Sequence, residues 1–235
     1  MTARDFLSEH RSEPAINAPL VAVLVVVSMP LLYLVQARVQ ALDPSVIQRF
    51  AFRPSSLFDG GWWPGVLTSM FLHGNWPHVG MNALGALAFA PPVARVMKGA
   101  KGVFGFLLFY MVCGVLATAG YGLVHPDSYG SLIGASGAVF GLTGAGLRLL
   151  RVKSGKPRAL TDRRFLLPAA VLMAVNAATG LVGLMPGTGA MQIAWEAHAV
   201  GFVVGALLIG PWLRVFGAGP TSFDSPADLG DAPAG

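Results

Sequence analysis

Six apolar stretches alternate with polar, charge-bearing connections along most of the chain. A helix needs about 20 apolar residues to cross a hydrocarbon core of roughly 30 Å, and most of the stretches approach that length. The pattern therefore predicts an all-α membrane protein, built as a bundle of six transmembrane helices. The stretches are residues 18–35, 79–94, 103–124, 134–147, 165–185 and 197–213.

Composition supports a membrane protein. Of the 235 residues, 54% are hydrophobic and only 11% are charged, whereas soluble proteins average about 25% charged residues. The first stretch has the alternative interpretation of a secretory signal peptide. Its apolar core is longer than the usual signal-peptide core, however, and no clean small-residue cleavage site follows it. We therefore expect it to be the first transmembrane helix.

The basic residues orient the predicted bundle, because short loops rich in Lys and Arg stay on the cytoplasmic side. The connections after the second and fourth stretches are basic, whereas those after the third and fifth contain no Lys or Arg. This predicts that both termini are cytoplasmic and that the long first connection, roughly residues 37–75, lies outside. Arg38, Arg49 and Arg53 are exceptions within that connection, and long connections follow the rule less strictly.

Charge and cysteine content exclude several classes of function. The net charge of +5 follows from the loops that flank the membrane, and nucleic-acid binding would need a basic face instead, so no nucleic-acid partner is expected. The single cysteine, Cys113, permits no intrachain disulfide and no cysteine-based metal site. Neither a metal nor an organic cofactor is indicated.

The chain divides into three predicted segments. Residues 1–16 form a cytoplasmic N-terminal tail, and residues 17–216 form the six-helix domain. Residues 217–235 are rich in Pro, Ala, Gly and Asp without apolar periodicity, which predicts a disordered C-terminal tail.

Polar side chains inside the apolar stretches indicate where function resides, because burying them in a bilayer is costly. Their heights can be counted at 1.5 Å per residue from basic residues at the cytoplasmic helix ends, such as Arg148. Ser136 is then about 18 Å and Asn82 about 20 Å above those ends. His78 and His198 are at roughly 24 to 26 Å. Polar groups from three helices thus fall within one range of membrane depth, as residues of a common site must.

Helix faces provide a second criterion. His198, Gly201 and Gly205 share one face of the sixth stretch, and glycine there permits close helix approach beside the imidazole. Gly137 and Gly141 offer a matching small-residue surface on the fourth stretch. The alternative is simple helix packing, with the serine hydroxyl bonded to a backbone carbonyl. Packing alone does not explain why a histidine lies on the glycine face.

The chemistry that this arrangement predicts is nucleophilic catalysis. A serine hydroxyl is a weak nucleophile until a base takes its proton, and a neutral imidazole is the usual base. Ser136 and His198 are therefore a candidate dyad. Ser136 also begins its predicted helix, where backbone N–H groups lack intrahelical partners. His78 and Asn82, four residues apart on one helix face, could donate further hydrogen bonds to an oxyanion.

With these residues assembled, the sequence resembles the rhomboid family of intramembrane serine proteases over about residues 58–213. Each motif alone is weak, but their order, spacing and placement in the second, fourth and sixth helices are specific in combination. The segments are HGNWPHVGMN with His73, His78 and Asn82; GASG, from Gly134 to Gly137, with Ser136; and AHAVGFVVG with His198, Gly201 and Gly205.

The resemblance implies a six-helix core with a water-accessible cavity open to the outside. In it Ser136 would attack, His198 would act as the base, and His78, Asn82 and the Ser136 amide would bind the oxyanion. Substrates would be other membrane proteins in the same lipid bilayer, cut in or near a transmembrane segment. The expected location is a bacterial inner membrane. Supporting roles would fall to His73, Gly134, Gly137, Phe140, Gly201 and Gly205.

Three positions depart from the family pattern. The first connection, GGWWPGVLTSMFLH, lacks the Arg that commonly follows Trp, and Ala94 replaces a frequent glutamate at the end of the second helix. Both leave open how the first connection is anchored. Phe140 stands where a tyrosine often packs under the catalytic histidine, so an aromatic face is kept and a hydroxyl is lost.

Two other functions remain as alternatives. A proteolytically silent relative would bind and escort membrane clients, and such a protein would be expected to lose the nucleophile or the base. A small transporter or channel would line its pathway with the same polar side chains. Such folds often carry inverted repeats or paired broken helices, and neither is found in this sequence.

Overall fold

The computed structural model describes residues 18–57, 59, 63–152, 155–182 and 194–218. These residues contain eight α-helices, and no strand beyond one isolated β-bridge. The predicted N-terminal tail and nearly all of the predicted C-terminal tail lie outside the described residues. The six long helices are α1 (Leu20–Leu42), α2 (Trp76–Arg95), α3 (Gly99–Val124), α4 (Ser136–Leu149), α5 (Arg163–Val182) and α6 (Trp195–Phe216).

Each long helix corresponds to one of the six apolar stretches. The protein is a multi-pass membrane protein in which four helices, α1, α3, α5 and α6, are long and apolar enough to cross a bilayer. Helix α2 carries polar side chains in its first half, and α4 has only 14 residues, or about 21 Å of helix. Length and composition alone therefore establish four candidate spans in the described chain, fewer than the predicted six.

Helix α4 occupies the centre of the fold. All of its residues except Ser136 and Phe140 are buried, and it contacts α2, α3 and α6. Small residues make this position possible, because a helix that is surrounded on all sides must let several neighbours approach closely. Its 14 residues are too few for an ordinary span, so length alone keeps it from the candidate spans.

The backbones of α4 and α6 touch at their glycines. A Cβ atom added to Gly201 would overlap the carbonyl oxygen of Gly137, and one added to Gly205 would overlap the carbonyl oxygen of Gly141. Side chains at either position would force the two helices apart. The predicted small-residue faces on α4 and α6 therefore do meet in the structure.

Arg148 is not the surface marker that the height count assumes. Arg148 is 9% exposed, and its guanidinium donates to the backbone carbonyls of Arg158 and Ala206. A side chain satisfied inside the protein need not reach the lipid headgroups.

The connection between α1 and α2 contains two short helices, Val46–Phe50 and Gly65–Thr68, and two 3-10 turns, Pro54–Leu57 and Ser69–Phe71. Backbone hydrogen bonds fasten it to the segment before α4. Phe52 and Leu132 exchange two such bonds, at 3.0 and 2.7 Å, and the Gly134 N–H donates to the Ser69 carbonyl at 2.9 Å. The connection is thus anchored without the arginine common in the family pattern.

A buried glutamine also fastens this connection to α1. The Gln36 side-chain amide donates to the His73 carbonyl at 2.7 Å, and its oxygen accepts from the His73 N–H at 2.9 Å. Gln36 is 6% exposed and His73 is 1% exposed. One side chain therefore satisfies both backbone groups of a residue that water does not reach.

We expect Gln36→Met to destabilise the protein by about 2–4 kcal/mol, because each buried polar group left unsatisfied costs about 1–3 kcal/mol. Chemical unfolding in detergent micelles, followed by loss of helical circular dichroism, measures the change. Gln40→Met is the matched control, since Gln40 lies one turn further along α1 and is exposed. Equal unfolding midpoints for the two variants would contradict the role of Gln36.

Candidate active site

Ser136 is the first residue of α4, and the segment before it is shaped by Gly134. Gly134 has φ +123°, a conformation that side-chain-bearing residues rarely adopt. A Cβ atom built there would lie 2.7 Å from the Nε2 atom of His78. Glycine is therefore required both for the backbone conformation and for the approach of the His78 ring to the start of α4.

The structure brings Ser136 and His198 together. The Ser136 Oγ and His198 Nε2 atoms are 2.8 Å apart, the distance of a good hydrogen bond. On the flat side of the imidazole, Phe140 is stacked with ring centroids 4.4 Å apart and an angle of 5° between the planes. The ring is thus held by an edge contact and a face contact, both from α4.

A third contact to the imidazole comes from Asn176 on α5. The Asn176 Oδ1 and His198 Nδ1 atoms are 2.8 Å apart, and the Asn176 Nδ2 atom donates to the Trp195 carbonyl at 3.0 Å. Asn176 belongs to none of the sequence motifs and is not among the site residues predicted from them. The available signal was an amide within an apolar span, where burying a polar group is costly.

His78 presents an N–H group beside the start of α4. Its Nδ1 atom accepts from the Gly74 N–H at 3.4 Å, a long bond that favours the tautomer with the proton on Nε2. The His78 backbone N–H donates to the Asn75 side chain at 2.8 Å. This bond caps α2 and fixes the backbone position from which the His78 side chain extends. The Nε2 atom is the one that faces Gly134.

Asn82 lies one turn further along α2 and is 4% exposed. Within the described part of the chain, its Nδ2 atom has no hydrogen-bond partner. The Nδ2 atom is also near the position that a Gly134 Cβ would take, at 3.7 Å. His78 and Asn82 thus bring two side-chain donors to the segment that leads into Ser136.

His73 does not join these donors. It is fully buried, and its ring packs edge-on against His78 with centroids 5.2 Å apart. The His73 ring thus packs behind the His78 ring, while Gln36 holds the His73 backbone in place. Within the described residues neither ring nitrogen of His73 has a hydrogen-bond partner, and the structure places the ring beside His78.

Among the hydrogen bonds of the described residues, Glu196 makes none with the His198 imidazole. Its carboxylate is 3.2 Å from the His125 Nε2 atom at the end of α3, away from Ser136, as its position on the helix predicts. Across the described ranges, no group of three His, Cys, Asp or Glu side chains could hold a metal ion. The chemical groups at the site are therefore a hydroxyl, imidazoles and amides.

Comparison with known proteins identifies the family. A model of the rhomboid domain matches residues 59–214 of this chain, which include every motif residue named above. The chain belongs to the rhomboid family. This rhomboid is 35% identical over 86 residues to YdcA of Bacillus subtilis, provisionally named a rhomboid protease, with 37% of this chain and 40% of YdcA covered.

A plant relative gives a longer match. Rhomboid-like protein 11, chloroplastic, of Arabidopsis thaliana is 33% identical over 155 residues, which cover 64% of this rhomboid and 52% of that protein. This rhomboid therefore spans about half the length, or less, of these relatives. The rhomboid-domain match, residues 59–214, covers the helical domain that carries Ser136 and His198.

Proposed function

We propose that this rhomboid is a serine endopeptidase that cleaves transmembrane protein substrates in or near their membrane-spanning segment. The observation that carries the proposal is the 2.8 Å contact between Ser136 Oγ and His198 Nε2. A hydroxyl bonded to an unprotonated imidazole nitrogen is the arrangement that activates serine for attack on a carbonyl carbon.

The chemistry proceeds in two stages. His198 Nε2 takes the Ser136 proton as the oxygen attacks the substrate carbonyl carbon, and it then gives that proton to the leaving nitrogen as the peptide bond breaks. Water, deprotonated by the same imidazole, hydrolyses the resulting ester and frees Ser136. This is the general acid and base role of histidine in serine proteases.

The negative oxygen of each tetrahedral intermediate needs preorganised donors. Three are proposed: the backbone N–H of Ser136 at the start of α4, His78 Nε2–H and Asn82 Nδ2–H. The first is favoured by the positive end of the helix dipole. The lack of a partner for Asn82 Nδ2 within the described residues supports its assignment, because a buried donor without one is costly.

The proposed topology has six spans, with both termini on the cytoplasmic side. Helices α2 and α4 would join the four candidate spans, with the buried helix α4 as the inner member of the bundle. The shortness of α4 supports a cavity above Ser136, because a 14-residue helix leaves about 9 Å of a 30 Å hydrocarbon core uncovered. Water would reach the ester through that cavity. Assignment to a bacterial inner membrane stays a prediction.

Covalent labelling tests the proposed function directly. Purified protein in detergent is treated with a fluorophosphonate probe, and the modified residue is identified by mass spectrometry. We expect an adduct on Ser136 in the wild type, and none in Ser136→Ala or in wild type denatured before treatment. A proteolytically silent escort protein would give no Ser136 adduct in its folded state, and that result would reject the protease.

A further inference from the structure

We infer that Asn176 is a positioning residue that sets the tautomer and orientation of His198; this rests on the proposed function. The chain of hydrogen bonds has one consistent direction. The Trp195 carbonyl can only accept, so the group of Asn176 that faces it is the NH2 group, and the amide oxygen must face His198. The imidazole Nδ1 atom therefore carries the proton.

This assignment determines what the other ring nitrogen can do. A neutral imidazole has one N–H and one acceptor nitrogen, so protonation at Nδ1 leaves Nε2 as the acceptor. Nε2 is the atom 2.8 Å from the Ser136 hydroxyl, and only as an acceptor can it take the hydroxyl proton. With the opposite tautomer, the ring would donate to Ser136 and could not act as its base.

Asn176 is held firmly enough to impose this choice. It is 6% exposed, whereas most of α5 is exposed and buries only Phe165 and Ala169 besides Asn176. Flipping the amide would place its NH2 group against Nδ1–H and its oxygen against the Trp195 carbonyl. Both hydrogen bonds would be lost, and a buried polar group without a partner is costly.

An amide suits this position better than a charged group. Serine proteases commonly orient the base with a carboxylate, but an ionised carboxylate inside a membrane protein is expensive to bury. The amide supplies the same acceptor oxygen without charge. Its second bond, to Trp195 at the start of α6, ties the orienting group to the helix that carries His198.

Nuclear magnetic resonance of protein with 15N-labelled histidine reads the tautomer without requiring activity. We expect His198, assigned by comparison with His198→Gln, to be protonated at Nδ1 in the wild type. In Asn176→Leu, which keeps similar size but removes the acceptor, we expect a mixture that contains the Nε2–H form. Nε2 protonation in the wild type, or an unchanged tautomer in Asn176→Leu, would overturn the inference.

Kinetics with a reconstituted single-span substrate provide the functional readout. We expect Asn176→Leu to lower kcat about 10- to 100-fold with little change in KM, as part of the roughly 10²- to 10⁴-fold that a positioned base contributes. A wild-type kcat for Asn176→Leu would reject the positioning role.

Thr179→Val is the matched control on the same helix. The Thr179 hydroxyl donates to the Asn176 backbone carbonyl at 2.9 Å, so this variant perturbs α5 close to Asn176 without touching its amide. We expect wild-type tautomer and kcat. If the wild type cleaves no substrate while the tautomer responds as expected, the proposed function fails and the positioning contact stands.

Discussion

Ser136→Ala is expected to lower kcat for cleavage of a reconstituted single-span substrate by on the order of 10⁴- to 10⁶-fold, the loss seen when a serine protease loses its nucleophile. His198→Ala should cause a loss of similar size, because the two groups act as one unit and their effects are not additive. Gel separation of substrate fragments at several enzyme concentrations measures both rates.

Thr143→Val is the control for the serine substitution. Thr143 is a buried hydroxyl on the same helix, and it donates to the Val139 carbonyl one turn earlier at 2.9 Å. Its loss removes a hydroxyl from α4 without touching the site, so kcat should stay within about threefold of wild type, since local hydroxyl bonds contribute only about 1 kcal/mol. Substantial cleavage by Ser136→Ala would identify another nucleophile and reject the mechanism.

The features that could be predicted from the sequence are those that repeat along a helix. Apolar stretches located six helices, since the cost of burying backbone polar groups in lipid favours helices there. Helix ends were less predictable: the first stretch was placed at residues 18–35, whereas α1 continues to Leu42. Residues 36–42 are exposed apart from Gln36 and mix Gln and Arg with Ala, Val and Leu, so their hydrophobic signal is weaker.

The contact of His198 with Ser136 was predictable for the same reason. The imidazole shares a helix face with Gly201 and Gly205, and small residues mark where helices approach closely. No periodic sequence pattern links Asn176 to His198, because their contact depends on how α5 packs against α6. The two hydrogen bonds between the Gln36 side chain and the His73 backbone likewise join positions 37 residues apart. No sequence pattern connects these positions.

Arg148 illustrates why counting residues gave imprecise heights. A basic residue at a helix end usually extends to the lipid headgroups, and the count assumed this. Here the guanidinium bonds to backbone carbonyls of Arg158 and Ala206 instead. Whether an arginine side chain faces lipid or protein depends on tertiary packing, which a single sequence does not display.

Gly205→Ala should separate the two glycine faces and thereby disable the site. The added methyl group would overlap the backbone of Gly141, and backbone cannot yield as a side-chain end can. Overpacking of this kind costs about 1–3 kcal/mol or more. Moving α6 also moves His198 away from Ser136, and a displacement of about 1 Å can cost 10²-fold in rate. We therefore expect kcat to fall about 100-fold and the unfolding midpoint to drop.

The same substitution at Gly210 is the internal control for this argument. Gly210 lies on the same helix, and a Cβ there would meet only the end of the Arg148 side chain, at an ordinary 3.9 Å. Alanine is favoured over glycine inside a helix by about 0.5–1 kcal/mol, so Gly210→Ala should be neutral or slightly stabilising, with wild-type kcat. Equal behaviour of the two variants would show that glycine packing does not bring the base to the serine. Loss of rate and stability in Gly205→Ala alone would tie the Ser136–His198 distance to the contact between the two backbones.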